Sequence, residues 1–140
     1  MTTVIDTNVI VALWDRDLAL STTAQSALDA ALQQGALIVP APVFAELMAA
    51  PCRNERFLDA FFRDTGILVD WNLDQRAWRV AGRALQGYAA RRRKQRGSAL
   101  RRILADFLIG AHAFSRGYRL LTLDDRLYRA AFPGLAIARV

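Results

Sequence analysis

The feature that most constrains the fold is the alternation of short apolar runs with longer segments of helical spacing. The apolar runs are three or four residues long and are typical of buried strands: Thr3–Ile5, Leu37–Val39, Ile67–Val69, Arg119–Thr122 and, near the C-terminus, Leu135–Ile137. Strands that alternate with helices predict a parallel sheet covered on both faces. We therefore expect an α/β fold, with residues 1–140 forming a single domain.

Composition narrows the class of protein. The chain has 140 residues, of which 54% are hydrophobic, so it is long enough for a real core and too apolar for a disordered chain. Its longest apolar stretches are broken by Asp, Arg or Pro, so we expect no membrane span and no signal peptide. Cys52 is the only cysteine, which excludes an intrachain disulfide and fits a cytoplasmic protein.

Carboxylates follow or interrupt apolar runs at four separated places: Asp6, Glu46, Asp106 and Asp124. Asp6 and Asp124 come just after two of the expected strands, whereas Glu46 and Asp106 are expected in the first turns of two helices. In a parallel sheet these positions share one edge, where ligands of such folds collect. The sequence therefore predicts that the four acids form one pocket.

Crowded carboxylates favour a bound divalent metal. Like charges in one pocket raise each other's pKa, and a cation reverses that cost. Oxygen ligands suit Mg²⁺ or Mn²⁺. Taken singly, each acid also has an ordinary explanation as a helix N-cap or a first-turn acid. Asn8 and Thr122 are accessory polar candidates that would orient water, a carboxylate or phosphate, although capping and turn formation explain them too.

The sequence lacks the motifs and residues that several other common functional sites require. The chain has no glycine-rich phosphate loop and no dinucleotide-binding glycine pattern. His112 is the only histidine, so we expect it to pack in the core, and we expect Asp70 to be a surface or capping acid. A phosphate-acceptor domain also uses acids at strand ends, but it is expected to carry a lysine near its site. Lys94, the only lysine, lies in a basic segment instead.

The formal net charge is +6, and much of it is concentrated in one segment. This basic segment comprises Arg91, Arg92, Arg93, Lys94, Arg96, Arg101 and Arg102. It would be either a solvated charged loop or a phosphate-binding edge beside a nucleic-acid groove. The second interpretation gains weight because the segment ends just before Asp106.

The motifs together resemble a PIN domain, and most of all the VapC-type toxins of prokaryotic toxin–antitoxin pairs. The residues that carry this resemblance are Val4–Val9, Pro42–Leu47, Leu104–His112 and Leu120–Asp124. The resemblance implies a three-layer α/β/α sandwich with a mainly parallel central sheet. It also implies a Mg²⁺- or Mn²⁺-dependent endoribonuclease in which Asp6, Glu46, Asp106 and Asp124 are catalytic.

For this chain the resemblance implies Asp6, Asp106 and Asp124 as metal ligands, with Asn8 and Thr122 at accessory positions. Asp125 forms a doublet with Asp124 and is the alternative fourth acid. The expected partners are an RNA such as tRNA or rRNA, a cognate antitoxin protein and a second copy in a homodimer. The alternative is a non-catalytic module that keeps the fold and binds RNA.

Overall fold

A computed structural model describes residues 1–51, 53–95 and 104–140. Strands and helices follow one another in these ranges as β1 (Thr3–Ile5), α1 (Thr7–Leu13), α2 (Leu18–Leu32), β2 (Leu37–Pro40), α3 (Ala41–Met48), α4 (Glu55–Thr65), β3 (Leu68–Asp70), α5 (Gln75–Gln95), α6 (Leu104–Arg116), β4 (Arg119–Thr122), α7 (Arg126–Ala131) and β5 (Ile137–Arg139). The five strands form one sheet in the order β3-β2-β1-β4-β5. Every neighbouring pair is parallel, which confirms the predicted fold class.

The first strand lies at the centre of the sheet. Val4 pairs with Ile38 of β2 on one side and with Leu120 of β4 on the other. Val4 and Ile5 are fully buried, as expected for a parallel strand with helices over both faces. The chain leaves this strand at its carboxyl end, at Asp6, in the middle of the sheet edge.

The middle of helix α6 is enclosed by other elements on all sides. Its residues Phe107–Ala113 are all buried. At Gly110 a Cβ atom would lie 2.3 Å from the ring of Phe132, so glycine lets the ring after α7 pack directly on the helix backbone. Among the described residues, no helix is both long enough and apolar enough to cross a membrane.

The structure changes three details of the sequence prediction. Glu46 lies in the second turn of α3 rather than the first, because the helix already begins at Ala41, with Pro42 in its first turn. Helix α5 extends through Gln95, so the basic segment begins on a helix and not after it. The last strand begins two residues later than expected, at Ile137, where it pairs with Leu120.

Candidate acidic site at the carboxyl edge of the sheet

Asp6 is a buried acid at the end of the central strand. It occupies the N-cap position of α1, yet its side chain makes no cap hydrogen bond to that helix. Instead, its Oδ2 accepts hydrogen bonds from Thr122 Oγ1 at 2.8 Å and from Tyr128 Oη at 3.0 Å. Helix capping therefore does not explain why the Asp6 carboxylate points towards Thr122 and Tyr128.

Asp106 lies in the first turn of α6, as the sequence predicts. Burial, followed by the negative charges of Asp6 and Glu46, raises its pKa to about 6. The pKa of Asp6 is also raised, mainly by burial and in smaller part by the charge of Glu46. Asp6, just after β1, and Glu46, on α3, are therefore close enough to Asp106 on α6 for their charges to act on it.

Glu46 reaches the same edge from α3. Its Oε1 accepts a hydrogen bond of 2.6 Å from Thr7 Oγ1, and Thr7 directly follows Asp6 in the chain. Glu46 itself is exposed. Its carboxylate is therefore held beside the buried acids while remaining open to solvent.

Asp124 is placed differently from the other three acids. Its side chain is 52% exposed, and both oxygens contact Arg126, with Nε 3.0 Å from Oδ1 and Nη2 2.9 Å from Oδ2. These contacts lower its pKa to about 2. The charge of Asp124 still raises the pKa of Asp106, so it lies within electrostatic reach of the site. Asp125 instead pairs with Arg129, one turn along α7, at 2.6 Å.

Asn8 and Thr122 join α1 to the end of β4. Asn8 Nδ2 donates to Thr122 Oγ1 at 3.4 Å, and Asn8 Oδ1 accepts from the backbone N–H of Leu123 at 3.2 Å. Thr122 Oγ1 also accepts from the N–H of Asp124 at 3.2 Å while it donates to Asp6. Asn8 and Thr122 thus fix the backbone at Leu123 and Asp124, and Thr122 also fixes the side chain of Asp6.

Tyr128 is a site residue that the sequence reasoning missed. It lies on α7, is 2% exposed and directs its hydroxyl at Asp6. Burial and the charge of Asp6 raise the pKa of Tyr128, so its hydroxyl keeps its proton and remains a donor. The only signal in the sequence is a tyrosine at an inward position of a short helix that directly follows an acid pair.

The acids offer a hard, oxygen-only ligand set. Among the described residues, no group of three or more Asp, Glu, His or Cys side chains is arranged so that it could hold a metal ion by itself. Mg²⁺ commonly uses one or two carboxylates and completes its shell with water and substrate phosphate. Burial, with a smaller contribution from neighbouring negative charges, raises the pKa values of Asp6 and Asp106, and a divalent cation would offset both effects. The donors present therefore fit such an ion.

Only part of the basic segment falls within the described residues. Arg91 and Arg92 lie on α5, and the guanidinium of Arg92 is 5.8 Å from the ring centroid of Tyr88 on the same helix. Arg93 and Lys94 belong to the helix backbone. Arg96, Arg101 and Arg102 lie outside the described residues.

A second polar cluster joins the end of β3 to α6. His112, which is fully buried, places Nε2 2.9 Å from Asp70 Oδ2, and Arg116 also contacts that oxygen. Burial lowers the pKa of His112, whereas the hydrogen bond from His112 and the charge of Arg116 lower the pKa of Asp70. The sequence predicts that Asp70 is a surface or capping acid, and its Oδ1 does accept from the backbone N–H of Asn72 at 3.0 Å, but the side chain is largely buried and its Oδ2 also anchors a buried histidine.

Comparison with known families identifies the fold. The family model of the PIN domain matches residues 3–133. The chain belongs to the PIN domain family. This match confirms the resemblance drawn from the four acidic motifs, and it covers all four acids. No curated protein matches the chain.

Solved structures with the same fold include several toxin–antitoxin complexes. For VapBC2 from Rickettsia felis, bound to a DNA fragment from its promoter, the identity is 16% and the TM-score 0.68, over 99% of this chain and 98% of that one. For VapBC-1 from nontypeable Haemophilus influenzae the identity is 22% and the TM-score 0.65, with the same coverage. For DNA-bound VapBC from Salmonella typhimurium the identity is 20% and the TM-score 0.64, over 99% of this chain and 98% of that one. These likenesses establish the shared fold of this PIN domain over nearly its whole length.

Proposed function

We propose that this PIN domain is a metal-dependent endoribonuclease that serves as the toxin of a toxin–antitoxin pair. The observation that carries the proposal is the meeting of Asp6, Glu46 and Asp106 at the carboxyl edge of the sheet, where burial, followed by the charges of Asp6 and Glu46, raises the pKa of Asp106. A pocket of acids is poorly suited to holding an anionic RNA unless a cation lies between them. The shared fold with VapBC complexes supports the toxin role.

The metal would be Mg²⁺ or Mn²⁺, held by Asp6 and Asp106 and, once Asp124 leaves Arg126, by Asp124. When bound, such an ion polarises a phosphodiester and favours ionisation of water. Asp6 is suited to this role because its carboxylate is fixed by Thr122 and Tyr128 and cannot turn away. Its burial also keeps bulk water from competing for the same oxygens.

Glu46 is the residue best placed to orient the attacking water. It is the exposed member of the three clustered acids, and Thr7 holds one of its oxygens at 2.6 Å. The other carboxylate oxygen would accept a proton from water at the open side of the site. A general base must lie within hydrogen-bond reach of the proton it takes, and this position is the one that solvent enters.

The decisive experiment measures cleavage of labelled RNA by the purified chain. We expect cleavage with Mg²⁺ or Mn²⁺, no cleavage in EDTA and a loss of at least about 100-fold in Asp6→Asn. Asp59→Asn is the matched control, because Asp59 is an exposed acid on α4. Equal cleavage by Asp6→Asn and Asp59→Asn would refute the assignment. Binding of RNA without cleavage in any metal would favour the non-catalytic module.

The basic segment supplies the proposed RNA contact. If about four of its side chains contact single-stranded phosphates, log affinity should fall with log salt at a slope of roughly −3. Replacing Arg91, Arg92 and Arg93 with alanine should make that slope shallower without changing metal affinity. Replacing Arg56, Arg63 and Arg76, which are exposed on α4 and α5, changes the same charge elsewhere and is the control. Equal slopes for both triple variants would mean that the segment is a solvated surface.

Targets and partners can be tested together in cells. We propose tRNA or rRNA as the target, and expression of the chain alone followed by mapping of new RNA ends would identify it. Growth arrest relieved by the product of a small neighbouring open reading frame would support an antitoxin partner. Light scattering of the purified chain tests the proposed homodimer, which predicts twice the mass of 15.6 kDa.

A further inference from the structure

The hydroxyl of Tyr128 is a feature of the site that the proposed reaction does not itself require. It is one of two donors on the same oxygen, Oδ2 of Asp6, at 3.0 Å, while Thr122 Oγ1 is the other at 2.8 Å. Both contacts are buried. The two donors come from different elements, β4 and α7, so the position of Oδ2 is fixed from two directions.

This arrangement distinguishes the two oxygens of Asp6. A carboxylate oxygen that accepts two hydroxyl hydrogen bonds has most of its lone-pair capacity used. Neither hydroxyl bonds Oδ1. The backbone N–H of Thr7 also acts on this carboxylate and lowers its pKa, but a single N–H uses only part of the lone-pair capacity, so Oδ1 can still accept another partner. The hydroxyl of Tyr128 donates its one proton to Asp6 and also lies close enough to Asp106 to lower the pKa of that acid, so one side chain influences both acids.

We propose that Tyr128 is a positioning residue for the metal: its hydroxyl, together with Thr122, holds Oδ2 of Asp6 and thereby presents Oδ1 to a divalent cation. The inference rests on the proposed function only in assigning Asp6 as a ligand. Hydrogen bonds of this kind orient ligand carboxylates, and removing one typically lowers metal affinity by about 10–100-fold.

Tyr128→Phe tests the proposal because it removes one oxygen and keeps the buried ring. Tyr118→Phe is the matched control, since the Tyr118 ring lies beside His112 rather than beside an acid of the site. Binding of Mn²⁺, followed through the electron paramagnetic resonance signal of the free ion, should weaken by about 10-fold or more in Tyr128→Phe. It should be unchanged in Tyr118→Phe. Equal Mn²⁺ affinity in the two variants and the wild type would overturn the proposal.

RNA cleavage separates this inference from the proposed function. In Tyr128→Phe the Mn²⁺ concentration for half-maximal cleavage should rise by the same factor, while KM for RNA stays unchanged. If the wild type binds Mn²⁺ but cleaves no RNA, the proposed function fails and the binding comparison still decides the role of Tyr128. If the wild type binds no Mn²⁺, both fail.

A second measurement uses the unmutated chain and does not depend on the folding of a variant. The sequence contains three tyrosines, so fluorotyrosine labelling gives three fluorine resonances. Mg²⁺ should shift the resonance of Tyr128 and leave those of Tyr88 and Tyr118 in place. The shift should be absent in Asp6→Asn, which lacks the charged acceptor. A Tyr128 resonance that does not respond to saturating Mg²⁺ would contradict the proposal.

Discussion

Replacing Asp106 with asparagine removes a charge that the folded chain holds beside other carboxylates. Its pKa of about 6 in the folded chain stands against an ordinary value of 3.8. At neutral pH this difference corresponds to about 3 kcal/mol of lost stability when the group is ionised. Burial contributes most to this shift and the charges of Asp6 and Glu46 contribute less, and partial access of water to Asp106 reduces the energetic effect of both. We therefore expect Asp106→Asn to raise the free energy of unfolding by about 1–3 kcal/mol.

The gain should depend on pH in a defined way. Below about pH 4 Asp106 is protonated in both states, so wild type and variant differ little. Between about pH 4 and 6 the unfolded chain releases its proton while the folded chain retains it, so ionisation lowers the stability of the wild type. Above about pH 6 both states are ionised and the full penalty is present. The advantage of the variant should thus appear across this window and then become constant.

Urea unfolding in EDTA at pH 4, 6 and 8 measures this effect. Asp59→Asn is the control, and it should stay within about 0.5 kcal/mol of the wild type at all three values. With a divalent metal present, the wild type should become more stable than Asp106→Asn. An ion at 100 times its Kd stabilises the wild type by about 2.7 kcal/mol, whereas it binds the variant only weakly. An Asp106→Asn protein no more stable than wild type at pH 8 in EDTA would refute the inference that burial and neighbouring carboxylates disfavour a charge at this position.

Three further substitutions test other parts of the structure. Gly110→Ala should cost about 1–3 kcal/mol in urea unfolding, because its Cβ would lie 2.3 Å from the Phe132 ring; an unchanged midpoint would mean that the ring moves freely. His112→Ala should cost about 2–4 kcal/mol, because it opens a cavity and removes a hydrogen bond to Asp70; a loss below 1 kcal/mol would contradict the anchoring role. Arg126→Ala should lower the Mg²⁺ concentration for half-maximal cleavage several-fold because it frees Asp124. Arg129→Ala, its control on the same helix, should not; equal effects would show that Arg126 does not compete with the metal.

Much of the fold could be predicted from the local pattern of apolar and polar residues in the sequence. Runs such as Thr3–Ile5 and Arg119–Thr122 predict strands because a parallel strand covered on both faces has no polar side. The same topology explains why acids far apart in sequence meet, since parallel strands end at one edge. Glu46 fell one turn later than expected because the start of α3 depends on how far β2 continues, which the run Leu37–Pro40 does not specify.

The hydrogen-bond partners of individual side chains could not be predicted from the local sequence pattern. The contact of Tyr128 with Asp6 joins residues 122 positions apart and depends on how α7 packs at the sheet edge. The pairing of Asp70 with His112 depends in the same way on the packing of α6 against β3. In the sequence, Tyr128 is only a tyrosine on a short helix and Asp70 only an acid after a strand. The hydrogen-bond partner of each residue lies in another element of the fold, which the local sequence does not specify.

The position of the acids at the sheet edge explains why the fold tolerates their repulsion. Asp6 cannot relax away, since its backbone N–H is bonded to Leu121 O at 3.0 Å and its carboxylate is held from β4 and α7. The central strand behind it is fully buried and paired on both sides, so the fixed end of the cluster rests on the best-packed part of the chain. Glu46 and Asp124, in contrast, are exposed, and their hydrogen-bond partners Thr7 and Arg126 lie at the open side of the site. If the proposed ion binds, it would stabilise the folded chain and offset the cost of holding Asp6 and Asp106 together at this edge.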